Sequence, residues 1–285
     1  MKPPKSRFGS LLLIGAVYLA ASAVGLFLYR ALPYSLYINL LLADAGATVF
    51  VFLFSLLFGN ASVYDPYWSV QPIVIGGLFG LSVGFTPFSL TVFLTVCVWG
   101  LRLTANWIYE FKSFAYEDWR YRQLRESTGA LYPLVNLFGI HMVPTLVVYA
   151  AILPMVYVIV NRVEAPFLCA LLLLLSLFAV LLQTVSDIEM KRYRKTRPTP
   201  FMREGLWKYA RHPNYLGEIL MWWGVGLSAF AASGAPNLLL GALLNTLLFL
   251  FISIPMADRR QAKKEGFAEY KSETRSLLPI YKKKR

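Results

Sequence analysis

Arg211-His212-Pro213-Asn214-Tyr215 puts a guanidinium, an imidazole, an amide and a phenol on consecutive residues next to an apolar stretch. Proline sets the backbone for a helix start, asparagine is a good helix cap, and Gly217 just beyond permits close approach of another backbone or a flat ring. Glu218 follows Asn214 by four residues and so shares its helical face. A carboxylate at that depth in an apolar helix is costly enough to count as a functional hypothesis; the structural alternative is pairing with Arg102 or Arg211. Upstream, Lys191, Arg192, Arg194, Lys195 and Arg197 form one cationic cluster, and Arg203, Lys208 and Arg211 a second, with Gly205 as an expected hinge between them. Arginine forks match phosphate oxygens in pairs, so the two clusters suit a diphosphate. The plainer reading is an ordinary basic loop beside a membrane.

The elements that must hold these residues are helices in a bilayer. Hydrophobic residues make up 57% of the 285, charged residues only 15%, and mean hydropathy is +0.54, whereas a soluble domain carries about 25% charged residues. Apolar runs recur at 8–29, 36–58, 70–85, 88–108, 137–160, 166–185, 215–232 and 238–256. Most approach the ~20 residues needed to cross a ~30 Å hydrocarbon layer. The expected fold is therefore an all-α, polytopic membrane bundle of about eight transmembrane helices. The third run, with Gly76, Gly77, Gly80 and Gly84, is the least regular. The first is read as a retained helix rather than a cleaved signal, since it is long and lacks a clear small-residue cleavage site. With both termini cytoplasmic, every one of the 28 lysines and arginines except Arg30 and Arg162 falls on the inner side, as short-loop charge retention requires. Expected segments are an N-terminal helix at 1–35, lipid-facing helices at 36–108 and a cofactor-binding part at 109–285.

Net charge of +13 invites nucleic acid, but the cations sit on short loops between apolar helices, where anionic lipid headgroups are the natural partner. Cys97 and Cys169 each fall inside a helix and imply no disulfide; with only His141 and His212 besides, no metal site is expected. Glu117-Asp118-Trp119-Arg120-Tyr121-Arg122, with Arg125 beyond, offers further phosphate ligands and a ring to stack, or else a capping salt-bridge patch. Arg102, within Trp-Gly-Leu-Arg-Leu-Thr-Ala-Asn-Trp, needs an anionic partner at its depth. Asp44 in the second helix is read as a packing contact near Gly46 and Thr48.

The segment GLWKYARHPNYLGE, preceded by SDxxxxRYR and followed by FAEYKSETRSLLP, resembles the C-terminal domain of the steroid 5-alpha-reductase family. It is also similar to related intramembrane sterol reductases with a turn of the RHPNYLG type. The resemblance runs from about Trp99 to Ile280 and is most specific over 187–218. It implies a seven-helix membrane enzyme that uses NADPH to reduce an activated carbon-carbon double bond of a lipid entering from the bilayer. It would place Gln183, Asp187, Arg194, Asn214 and Glu218 on the cofactor, with Arg211, His212 and Tyr215 in the same turn. Arg102, Arg120 and Tyr121 are further cofactor candidates, as are Arg259 and Arg260 of the tail.

Reducing a polarised double bond requires hydride at one carbon and an acid at the carbonyl. Aligned on Arg102, the position of the family's tyrosine holds Trp99 here, and the position of its glutamate corresponds to Asp65 in Tyr64-Asp65-Pro66-Tyr67. Asp65, with Tyr64 or Tyr67 in place of the missing phenol, is the expected catalytic group, with Glu218 as a further catalytic candidate; the alternative for Asp65 is an Asp-Pro helix cap. Two other readings stand beside the reductase. One is an S-adenosylmethionine-dependent methyltransferase similar to the isoprenylcysteine carboxyl methyltransferases, which also carry an RHPxYxG turn. The other is a non-catalytic lipid-binding protein that keeps the turn without the acid.

Overall fold

The computed structural model describes residues 6–196 and 199–279. Lys2, Lys5, Arg197 and the basic tail at 282–285 lie outside the described residues. In chain order the α-helices are α1 (Arg7–Ala31), α2 (Leu36–Phe58), α3 (Tyr67–Val83), α4 (Pro87–Glu110), α5 (Trp119–Thr128), α6 (Tyr132–Val135), α7 (Val143–Val160), α8 (Phe167–Leu171), α9 (Leu173–Thr196), α10 (Pro213–Ser233), α11 (Leu240–Leu248), α12 (Ile254–Gln261) and α13 (Phe267–Glu273). Wider π-helical turns join α6 to α7 (Asn136–Met142) and α11 to α12 (Phe249–Ser253). No β-strand occurs among the described residues.

Among the described residues seven helical stretches are long and apolar enough to cross a membrane, and the chain is an integral membrane protein. Every apolar run of the sequence becomes helical. The third differs from expectation in length: α3 has 17 residues and contains Pro72, so at 1.5 Å per residue it covers about 25 Å of a ~30 Å layer. Large apolar side chains point outward, with Leu81 85% and Phe167 79% exposed. That is costly in water and natural against lipid.

The helix ends follow local chemistry. The Ser6 hydroxyl accepts from the Gly9 amide at 3.1 Å and starts α1. Gly59 (φ 62°) ends α2 and Gly234 (φ 71°) ends α10, each in the left-handed conformation that glycine adopts without a Cβ clash. Asn39 closes the α1–α2 connection, donating to Leu32 O at 2.8 Å and accepting from Tyr34 N at 3.1 Å.

Two compact units interleave along the chain. The first comprises residues up to Phe79 together with Gly100–Ile152. Its core gathers Ile14, Val17, Ala21, Ala47, Val51, Phe58, Val63 and Tyr64, and the Tyr18 hydroxyl donates to Val63 O at 2.6 Å. The second comprises Gly80–Trp99 and the chain from Leu153 onward. Its backbone is the antiparallel pair α9 and α10. A Cβ on Gly224 would lie 2.2 Å from Ser176 Oγ, and one on Gly217 would lie 2.7 Å from Ala179 O. Both glycines therefore serve close helix contact, one of the two roles foreseen for Gly217. The Ser176 hydroxyl seals the seam by donating to Met221 O at 2.8 Å. Arg162, an off-side cation, takes positive φ (48°) after α7 and donates to the Val83 carbonyl at the end of α3.

Candidate functional site

In the second unit, the antiparallel register brings four of the sequence candidates onto one seam. Gln183 of α9 meets Glu218 of α10, its Nε2 donating to Glu218 Oε2 at 2.8 Å. Asp187 stands one turn beyond Gln183 on α9, and Asn214 one turn before Glu218 on α10. Glu218 is 5% exposed. It accepts the Trp99 indole N–H at 2.9 Å, the Trp222 indole N–H at 3.0 Å and the Gln183 amide. Trp99 and Trp222 meet edge to face, 4.8 Å between centroids. Trp99, the residue found where a phenol was expected, is thus a donor to a buried carboxylate.

The Arg-His-Pro-Asn-Tyr turn is pinned from the tail. Asp258 of α12 accepts from Arg211 Nε at 3.3 Å and Nη2 at 3.2 Å, a two-pronged pair, and from His212 Nε2 at 2.9 Å. Arg211 also donates to Thr274 O at 2.5 Å. The backbone joins in: Arg211 N reaches Arg275 O at 3.0 Å and His212 N reaches Ser276 O at 2.9 Å, making an isolated bridge between Ala210 and Arg275. Tyr270 of α13 donates to Trp207 O, and burial pushes its phenol up to about 12. The Tyr215 ring stacks on His212 at 5.1 Å and tilts against Phe249 at 4.9 Å.

Two local expectations are corrected. Asn214 does not cap α10: the cap position is His212, with Pro213 first in the helix and no side-chain cap bond. The proline displaces the start by two residues, because its fixed φ suits the first helical position. Gly205 is no hinge: at φ 57° it lies against Glu189, whose carboxylate accepts from Leu206 N at 3.0 Å. Freed from capping, the Asn214 side chain keeps a buried Oδ1 with no hydrogen-bond partner. Arg194, Arg259 and Arg260 are exposed, and Asp187 is half-buried.

The remaining candidates belong to the first unit. Asp65, in the turn before α3, accepts from the Tyr121 hydroxyl and from Trp107 Nε1 at 3.3 Å. Burial pushes its carboxyl up to about 6, against the opposing pull of the Arg120 guanidinium. Tyr64 is buried and its hydroxyl meets Thr145 Oγ1 at 2.8 Å; Tyr67 is buried against Tyr18 and Tyr64. Arg120 is exposed and bonded to Asp118, which caps α5 by accepting from Arg120 N at 2.9 Å, while Glu117 pairs with Arg125 at 2.9 Å. This is the capping patch of the two readings offered for that loop. Arg102 is half-buried on α4.

Sequence reasoning passed over Asp258, although a buried Arg-His pair demands an acid and the tail supplies one. His141, weighed from sequence only as a metal ligand, lies in the π-helical turn with its Nδ1–H donated to Asn136 O at 2.9 Å. Among the described residues no group of three or more His, Cys, Asp and Glu is placed to hold a metal ion.

The model of the family described as "Protein of unknown function (DUF1295)" matches residues 51–274. The chain belongs to that family. The match takes in every candidate site residue from Tyr64 to Arg260 and leaves out α1. The chain is 26% identical over 212 residues to the uncharacterized protein C594.04c of Schizosaccharomyces pombe (strain 972 / ATCC 24843), an alignment covering 63% of this chain and 60% of the yeast protein. No solved structure matches the chain.

Proposed function

We propose that this DUF1295 chain is a membrane oxidoreductase that uses NADPH to reduce an activated carbon-carbon double bond of a lipid. One observation carries the cofactor half of the reading. In the turn, Arg211 and His212 are tied to Asp258 and Glu218 accepts three N–H groups, whereas the buried Asn214 Oδ1 has no partner. An amide acceptor left open in a turn that is otherwise locked is suited to receive a ligand N–H or hydroxyl, and an unfilled one costs about 1–3 kcal/mol. The exposed Arg194, Arg259 and Arg260 supply guanidinium forks of the kind that hold phosphate. The residues present therefore fit a dinucleotide, with Arg194 and the tail arginines on phosphate and Asn214 on an amide or hydroxyl of the cofactor.

Bound NADPH would supply hydride. This chain's own part is to fix the turn through Asp258, to hold Asn214 open through the Gln183–Glu218 seam, and to offer an acid. Asp65 suits that last role chemically: with its carboxyl pushed up to about 6 it carries a proton over a range where an ordinary aspartate does not. A resemblance to the steroid 5-alpha-reductases in the 187–218 segment supports the same assignment.

Calorimetry on the purified protein in lipid nanodiscs tests the reading. NADPH is expected to bind, S-adenosylmethionine is not, and Asn214→Ala is expected to weaken NADPH binding at least tenfold while the protein stays folded. Absence of NADPH binding in the wild-type protein would sink the reductase, and binding of S-adenosylmethionine in its place would favour the methyltransferase. An enone lipid panel extends the test, with NADPH turnover expected to fall in Asp65→Asn.

A further inference from the structure

The first unit holds a second polar constellation, separate from Asp65 and its partners, that the sequence reading left as helix packing. Thr48 of α2 meets Thr145 of α7 at 3.0 Å, and Thr145 meets the Tyr64 hydroxyl at 2.8 Å. Around this chain of hydroxyls the helices expose polar atoms to one another that lack partners of ordinary geometry. Asp44, one turn before Thr48 on the same face of α2, is 4% exposed, and neither of its oxygens accepts a hydrogen bond of ordinary geometry. Gln71 of α3 is 8% exposed and faces Asp44 closely enough for a weak amide-to-carboxyl hydrogen bond, although neither its Nε2 nor its Oε1 closes one of ordinary geometry. Tyr67, four residues earlier on α3, lies near both Asp44 and Thr48.

Buried polar atoms are nearly always satisfied, and each one left open is costly. Here three acceptor oxygens and one amide N–H₂ group remain open together in an apolar bundle, with no cation among the groups acting on Asp44. Such a set offers a phosphate or carboxylate no cation to pair with. A hydroxyl complements it, because one O–H both donates to a carboxylate oxygen and accepts from an amide N–H.

We propose that Asp44 and Gln71 form a buried binding site for the hydroxyl head of a membrane lipid, a long-chain or ring alcohol. The Thr48–Thr145–Tyr64 chain fixes the helices on which the two side chains stand. The site shares Tyr64 with the groups invoked for reduction but does not depend on that reading, since its occupancy is measured without NADPH.

The probes are a diazirine-bearing hexadecanol and its methyl ether, photolysed with the full chain in phosphatidylcholine nanodiscs, with labelled residues mapped by mass spectrometry. The alcohol is expected to label residues flanking Asp44 and Gln71 about tenfold more than the ether, a factor of ten corresponding to one well-made hydrogen bond. Asp44→Leu is expected to abolish the preference, Gln71→Leu to reduce it, and Asp44→Asn to retain part of it. Should Asp44→Leu fail to fold, Gln71→Leu decides. Equal labelling by alcohol and ether, or a preference that survives in both leucine variants, overturns the proposal and leaves Asp44 and Gln71 as a pair closed on each other.

Discussion

Two buried carboxylates of this molecule receive opposite treatment. Glu218 of the second unit, 5% exposed, accepts three N–H bonds from Trp99, Gln183 and Trp222. Asp44 of the first unit, 4% exposed, accepts none of ordinary geometry and only a weak contact from Gln71. Three donors hold the first carboxylate in one orientation between α9, α10 and Trp99. Vacant valence makes the second a place where something else must bind or a proton must stay. The same contrast recurs inside the Arg-His-Pro-Asn-Tyr turn, where Arg211 and His212 are tied to Asp258 while Asn214 Oδ1 stays open. Chemistry in this chain is better sought at the open atoms than at the most conspicuous charges.

The sharpest way to break the contrast is Asp258→Ala. It would strand Arg211, which is 8% exposed, as an uncompensated buried cation, at a cost of about 3–5 kcal/mol. Unfolding in a mixed-micelle denaturant series should show that loss, and a change below about 1 kcal/mol would mean the clamp is not formed. Glu218→Leu should follow at about 2–3 kcal/mol, since three donors lose their acceptor together. Gly224→Val, which drives a side chain into Ser176 and its backbone, should cost about 1–3 kcal/mol by forcing α9 and α10 apart.

Asp65 sharpens the comparison through pH. Its carboxyl is raised from the ordinary 3.8 to about 6, so the folded protein binds that proton more tightly than the unfolded chain does. Stability from this group is fully present below the ordinary value and is lost as pH rises through about 6. Thermal unfolding across that window should therefore slope downward in the wild type, and the slope should flatten in Asp65→Asn; identical slopes would refute the shift. The smallest effect belongs to Asp44→Leu. Replacing a weakly partnered buried acid with a shape-compatible apolar side chain should leave stability unchanged or slightly higher. A loss above about 2 kcal/mol would show that Asp44 is satisfied after all.

Much of the architecture was legible in the chain. The apolar runs all became helices, and Gly217 was read as a point of close approach. Where reading failed, the reason was a partner remote in sequence. The Asn214 cap was the natural local inference, but Pro213 took the first helical position and the tail held His212 in place through Asp258, 46 residues away. The hinge at Gly205 was likewise a local inference overridden by Glu189, 17 residues upstream of the amide it holds. Asp44 looked like a packing residue because nothing in its own segment distinguishes a satisfied carboxylate from an open one.

Composition and periodicity determined that this chain lives in a bilayer as helices, since an apolar backbone stretch without water must satisfy its own N–H and C=O groups within each segment. They determined as well which residue types crowd the turn before α10. Only tertiary structure decided which of those groups are spent and which remain open. A hydrogen bond between side chains depends on register between helices, and register follows from where Gly217 and Gly224 let α9 and α10 touch, not from the content of either helix alone.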